Sequence, residues 1–263
     1  MKTIAICNLK GGVAKTTTVV NLAADLAHYH GKRILVVDAD SQCNATEFLG
    51  GSIVREGHSL ATLLRMPKAE RTKFSLNFDA SIQAIHASTI PAVDLLPADD
   101  SLMDLDLSKV EEGSAYVTCL RDLRPELERS GYDFVLIDCP PAFNAAAASA
   151  LLAADEVIIP IKLDAFALRG MGNLMRQICN MRSINPALRV AGVLPVMWYK
   201  SEDNNRALQK LQESGLTLFS RIRRSTMVDT MTYRQEPLYI SSPKSGACHD
   251  YRSFASRIAE GRY

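Results

Sequence analysis

Between positions 10 and 17 the chain reads Lys10-Gly11-Gly12-Val13-Ala14-Lys15-Thr16-Thr17. Such a segment can cradle phosphate. Gly11 and Gly12 let the backbone turn with its N–H groups pointing inward, and a helix opening near Lys15 adds the positive end of its dipole at the same point. The Lys15 ammonium is a mobile cation for the β- and γ-phosphates of a nucleotide, and the Thr16 hydroxyl is of the type that ligates Mg²⁺. Two acidic segments carry matching chemistry. Val36-Val37-Asp38-Ala39-Asp40-Ser41-Gln42 and Val135-Leu136-Ile137-Asp138-Cys139-Pro140-Pro141 each place carboxylates directly after an apolar run. An acid there can support magnesium or orient an attacking water, which is most of what phosphoryl transfer asks of a protein. Asp is also a common turn and capping residue after a strand. Its meaning here comes from its conjunction with the glycine–lysine segment.

These residues need elements to bring them together. Short β-branched runs at 3–7, 34–37, 134–137, 156–161 and 190–194 read as buried strands. Helical patterns at 15–29, 116–129, 144–153, 167–181 and 204–214 lie between them. That alternation predicts an α/β fold, a mostly parallel twisted sheet with helices on both faces. In such a sheet ligands bind at the C-terminal strand ends, where both acidic segments and the glycine pair fall. Residues 50–100, interrupted by Pro67, Pro91 and Pro97, read as an insertion with a peripheral helix and one or two extra strands. No repeat, linker or low-complexity tract divides the chain, so residues 1–263 are expected to form a single domain.

Composition is that of an ordinary globular protein, 47% hydrophobic and 22% charged. No apolar run approaches the roughly 20 residues needed to cross a bilayer, and the N-terminal apolar stretch is too short for a signal-peptide core. The six cysteines, at 7, 43, 119, 139, 179 and 248, have no spacing suited to a zinc site or redox pair, and read as reduced thiols of a cytoplasmic protein. Cys139 lacks the partners of a nucleophile, and the histidines at 28, 30, 58, 86 and 249 form no metal set. Net charge is +1, unevenly shared: from Lys200 onward eleven Lys or Arg face seven Asp or Glu, giving +4 in that third and −3 in the rest. A basic third is suited to an acidic partner, although on charge alone a solvated surface explains it equally well.

The general phosphate-loop pattern G-x-x-x-x-G-K-[ST] is not met, because Leu9 and Ala14 occupy its glycine positions. What stands instead resembles the deviant Walker A motif of the ParA/MinD P-loop ATPases, with Lys10 as the added signature lysine. The acidic segments resemble the D-x-D-P-Q and I-D-x-P-P segments of the ParA branch, with Ser41 where Pro is usual. Likeness extends through Ile159-Pro160-Ile161, Ala167-Leu168-Arg169-Gly170 and Glu236-Pro237-Leu238 to the last helix, as in the stand-alone ParA or Soj type. The resemblance implies Mg-ATP bound by residues 10–17, with Thr16, Asp38 and Asp138 about the metal, Asp40 directing the hydrolytic water and Lys15 and Lys10 on the phosphates. It further implies an ATP-bound homodimer in which Lys10 reaches the partner's phosphates, non-specific DNA binding on the nucleoid, and slow hydrolysis stimulated by a ParB-like partner. Lys200, Arg221, Arg223, Arg224, Arg252 and Arg257 are the candidates for the DNA surface, with Met227 standing where relatives carry a further arginine. Residues 224–238 are where adenine contacts are expected. The competing reading is a MinD-like positioning ATPase acting on a membrane or protein cargo, for which Tyr251, Phe254, Ala255 and Ile258 would form an amphipathic C-terminal helix. A metabolic P-loop enzyme or iron–sulfur carrier of the same fold is a further alternative, and the scattered cysteines speak against the latter.

Overall fold

Five of the six strands are apolar runs with both faces covered, the pattern of a parallel sheet enclosed by helices. In the computed structural model, which describes residues 1–50, 59–66, 90–105, 115–164 and 167–262, the elements are β1 (Lys2–Ile6), α1 (Lys15–His30), β2 (Ile34–Asp38), α2 (Asn44–Gly50), α3 (Leu60–Arg65), β3 (Val93–Leu96), α4 (Ala115–Asp122), α5 (Arg124–Arg129), β4 (Phe134–Asp138), α6 (Ala145–Ala153), β5 (Glu156–Lys162), α7 (Ala167–Met181), β6 (Arg189–Val196), α8 (Glu202–Glu213), α9 (Thr226–Arg234), α10 (Leu238–Ser241) and α11 (Gly246–Ala259). The strands form one parallel sheet in the order β3-β2-β4-β1-β5-β6.

Alternation along each strand sends side chains to two separate cores. Ile34, Val36, Phe134 and Leu136 pack under α1 and α11, whereas Leu35, Val37, Val135 and Ile137 pack under α4 to α7. The apolar stripe Tyr251, Phe254, Ala255 and Ile258 of α11 is fully buried and packs against α1. No described helix is long and apolar enough to cross a membrane.

The expected helix over 116–129 is two helices. Pro125 lacks an N–H and fits only the first turn of a helix, so the chain restarts at Arg124 after Leu123. The insertion contributes α3 and the edge strand β3, whose register with β2 runs Ile34 to Val93 through Val37 to Leu96. Its residues 51–58 and 67–89 lie outside the described residues.

Helix α1 does the most for the site. It ends in a left-handed Gly31 whose N–H reaches Ala27 O, with Lys32 N reaching Leu26 O, a closure that only a residue tolerant of positive φ allows. Within it Asp25 is 3% exposed, and burial, opposed by nearby Arg252, pushes its carboxyl up to about 7. The folded protein therefore holds a proton that the unfolded chain releases near pH 4, so this group's contribution to stability declines as pH rises from about 4 to 7. Asp25→Asn is expected to stabilise the protein by about 2–4 kcal/mol at pH 7.5 and by little at pH 4. Urea unfolding at both pH values checks this, and an equal effect at the two would contradict it.

Candidate functional site

The sheet order sets the site. From β1 the chain goes to β2 on the far side of β4, and later to β5 on the other side, so the C-terminal ends of β1, β2 and β4 meet at a crevice of the kind in which α/β sheets bind ligands. The parallel register aligns Ile6 with Asp138 and Asp38 with Asp138. Three strand ends thus bring Asn8, Asp38 and Asp138 together beneath residues 10–17.

The turn from β1 into α1 is anchored by Asn8, which is buried. Its Nδ2 donates to Pro160 O at 2.7 Å and its Oδ1 accepts from Lys10 N at 3.0 Å. The backbone is left-handed at Gly12 (φ 68°) and again at Ala14 (φ 58°), the residue just before α1. At Ala14 the Cβ makes that conformation costly by about 1–2 kcal/mol. Ala14→Gly is accordingly expected to stabilise the protein by about 0.5–1 kcal/mol after the greater freedom of glycine in the unfolded chain is offset. Denaturant midpoints measure this; a lowered midpoint would contradict it.

Lys15 is 7% exposed, and its Nζ donates to Lys10 O at 3.2 Å. The Thr16 hydroxyl donates to Asp138 Oδ2 at 2.6 Å. The other Asp138 oxygen, Oδ1, is buried with no partner. Asp38, also fully buried, accepts from Thr46 N and Thr46 Oγ1, each at 2.8 Å, and from Asp40 N at 3.1 Å. Asp40 accepts from Gln42 N at 3.1 Å and lines the cleft. The Lys10 ammonium is ion-paired with Asp164, beyond the end of β5.

Crowding three carboxylates in a buried place has a cost, visible in their protonation. Burial raises Asp38 to about 6, against the pull of its Thr46 hydrogen bonds. Burial and then the neighbouring Asp38 raise Asp138, which the Thr16 hydroxyl and Lys15 partly counter. Such a group of acids calls for positive charge. Among the described residues no three His, Cys, Asp or Glu are arranged to hold a metal by themselves. That suits Mg²⁺, which keeps several waters and takes one or two protein groups beside a ligand's phosphates. The orphaned Asp138 Oδ1 and the Thr16 hydroxyl are suited to that shell. Cys139 is buried with its thiol raised, first by the hydrogen bond its S–H donates to the Cys7 side chain and then by burial, and is thus an inert core thiol.

Above these groups lies an open cleft of about 490 Å³ lined by residues 11–17 on its floor, by Asp40, Gln42, Glu47 and Phe48 on one side, and by Met197, Met231, Thr232 and Gln235 on the other. The loop residues and Asp40 were legible in the sequence, and 224–238 only as a stretch, of which Met231, Thr232 and Gln235 line the cleft. Asn8, Thr46, Glu47, Phe48 and Met197 were not, because each belongs to a segment with no motif of its own. Met197 (φ 53°) and Gln235 (φ 51°) share with Ala14 a left-handed backbone, so strain gathers around this cleft.

Most of the basic candidates are already engaged within the fold. Arg223 is held bidentately by Asp250 at 2.8 and 2.9 Å. Arg221 lies over the Trp198 ring at 3.9 Å. On α11, Arg252 stacks on Tyr29 and Arg257 on Phe219. Arg224 lines a second cavity together with Ala14 and Thr17. Tyr29 is twelve residues along α1 from Thr17, or about 18 Å. Lys200 and Arg224 are exposed.

Residues 1–190 match the AAA domain family. The chain is 31% identical over 266 residues to the sporulation initiation inhibitor protein Soj of Bacillus subtilis, covering 98% of each. It is 37% identical over 202 residues to the chromosome partitioning protein ParA of Caulobacter vibrioides, covering 75% of this chain and 70% of that protein. A Mycobacterium smegmatis structure described as cobyrinic acid a,c-diamide synthase with a bound ATP analogue and magnesium superposes with a TM-score of 0.76 at 26% identity, covering 100% of this chain and 97% of that one. With its lysine-flanked glycine loop, convergent strand-end carboxylates and full-length likeness to Soj, the chain belongs to the ParA/Soj branch of the deviant Walker A P-loop ATPases.

Proposed function

We propose that this chain, as one domain, is a Mg²⁺-dependent ATPase whose ATP-bound homodimer binds DNA without sequence preference and serves DNA partitioning, its slow hydrolysis stimulated by a ParB-like protein. The observation that carries the reading is the convergence of Lys15, Thr16 with Asp138, and Asp40 on one cleft floored by residues 11–17. The likeness to the Caulobacter vibrioides protein named for chromosome partitioning supports the cellular role.

In this mechanism the N–H groups of residues 11–17 and the α1 dipole bind the phosphates. Lys15 leaves the Lys10 carbonyl to meet the β- and γ-oxygens, where charge develops in transfer. Thr16 would hold Mg²⁺, with Asp138 and Asp38 acting through water; the ion would supply positive charge against that of the phosphates. Asp40, lining the cleft near the γ end, accepts a hydrogen bond from the attacking water and orients it in line. Since Asp40, Asp138 and Thr16 mark the γ end, the base lies toward the opposite wall of Met197, Met231, Thr232 and Gln235. Lys10 exchanges Asp164 for the partner's phosphates when two protomers close. The buried stripe of α11 supports the DNA reading over the membrane one.

The test is DNA binding by the purified protein with ATP, with ADP and without nucleotide, across a salt series. Binding with ATP alone, falling tenfold or more between about 50 and 200 mM salt as counterion release requires, is the expected result. Salt-independent or nucleotide-independent binding would contradict it, as would flotation with liposomes in ATP.

A further inference from the structure

Asn21 lies one turn along α1 from Thr17 and is 2% exposed. Its amide is fully engaged in a way that helix geometry alone does not require. Nδ2 donates to Thr17 O at 2.8 Å and to Met231 Sδ at 3.3 Å, and Oδ1 accepts from Leu238 N at 3.0 Å. Thr17 and Met231 both line the cleft, from the two ends of the chain, and Leu238 begins the next helix, α10. One buried amide therefore bridges the phosphate-binding helix to the segment that closes the cleft, more than 200 residues away in sequence.

We infer that Asn21 is a positioning residue for nucleotide recognition, fixing the Met231 wall at the distance from the phosphate loop that a purine base needs; this rests on the placement of the base at that wall. The chemistry of the pair is specific. A thioether is unbranched and adaptable, and packs against aromatic rings, but left to itself it samples several rotamers. The amide N–H supplies the orientation that methionine lacks. The same amide takes up the Leu238 N–H, which belongs to the first turn of α10 and has no carbonyl four residues back within that helix. The wall segment ends in the left-handed Gln235, which also lines the cleft. A strained turn of that kind keeps its shape only when its flanks are held. Here Met231 on one flank and Leu238 on the other are held by the two ends of one side chain.

The chemistry predicts a division of labour within the cleft. Residues 11–17 recognise the triphosphate, and Asn21 acts only on what the base contributes. Binding of Mg-ATP and of Mg-tripolyphosphate, which has the phosphates without the nucleoside, separates the two by calorimetry on the full chain. Asn21→Ala is expected to weaken Mg-ATP about tenfold and Mg-tripolyphosphate less than twofold. A merely structural role would weaken both alike, and equal losses, or none, overturn the inference. Should Asn21→Ala fail to fold, Met231→Leu, which keeps bulk and loses the sulfur acceptor, carries the test. A several-fold loss confined to Mg-ATP supports the proposal, and an unchanged ratio of the two affinities overturns it. Where both variants fold, their double mutant should lose less than the sum of the single losses, as side chains acting through one contact do. A wild-type protein that binds Mg-tripolyphosphate as tightly as Mg-ATP instead removes the base wall itself, and the role of Asn21 with it.

Discussion

Replacing Lys15 by Gln is expected to weaken Mg-ATP binding by about 100- to 1,000-fold, because truncating one member of a desolvated, hydrogen-bonded charge pair costs several kcal/mol. Lys15 is 7% exposed and sits beside three buried carboxylates, and its charge is one of the influences that keep Asp138 from rising further. Gln keeps a hydrogen-bonding end on a side chain one bond shorter but removes the charge. Calorimetric titration of the variant with Mg-ATP gives the answer, with circular dichroism confirming the fold. Binding within tenfold of wild type would mean that the phosphates are held elsewhere.

The second large effect concerns Asp40. Unlike Asp38 and Asp138, it lines the open cleft, with Gln42 N on one carboxylate oxygen. Asp40→Ala is expected to reduce single-turnover hydrolysis by 100-fold or more, in the range of positioned acid–base and orienting groups. Mg-ATP affinity should be unchanged or raised, since a carboxylate near the γ-phosphate is repulsive in the ground state. The variant would then accumulate as an ATP-bound dimer. Rapid-quench measurement of phosphate release distinguishes this from a binding defect: unaltered single-turnover rates would remove Asp40 from the chemistry.

The two cases also mark what the sequence could convey. Lys15 and Thr16 were legible because their function depends on local spacing, with glycines before and a helix behind. The strands were legible because full burial of a parallel sheet writes itself as short β-branched runs such as Phe134 to Asp138. Expected strand ends were displaced by a residue or more: β1 ends at Ile6 rather than 7, whereas β2, β4, β5 and β6 run on past their apolar runs to Asp38, Asp138, Lys162 and Val196. The break at Leu123 turned on one proline within a helical pattern. Hidden entirely were partnerships between distant segments: Asn8 with Pro160, Asp38 with Thr46, Lys10 with Asp164, and Asn21 with Met231 and Leu238. Such contacts leave no periodicity, because each is one polar side chain whose partner is fixed by topology. The basic residues are a further case. Charge count gathered Arg223, Arg252 and Arg257 into one group, and folding engages each of them about α11, Arg223 with Asp250, Arg252 over Tyr29 and Arg257 over Phe219.

Lys10 illustrates how the resting site satisfies itself. Its ammonium is engaged by Asp164, the Lys15 ammonium by the Lys10 carbonyl, and the Thr16 hydroxyl by Asp138. Each group assigned to phosphate or metal thus has an internal substitute, and nucleotide must displace all three. Burial of Asp38 and Asp138 favours the Mg²⁺ that accompanies the nucleotide, since positive charge opposes what desolvation imposes on both.

A crystal structure of the protein grown with Mg²⁺ and a non-hydrolysable ATP analogue tests the central claim most directly. The account predicts the triphosphate within hydrogen-bonding distance of the backbone N–H groups of residues 11–17, Lys15 Nζ moved from Lys10 O onto the phosphates, and a metal beside Thr16. A nucleotide bound outside this cleft, or a phosphate loop left unchanged with Lys15 still on its own backbone, would contradict it.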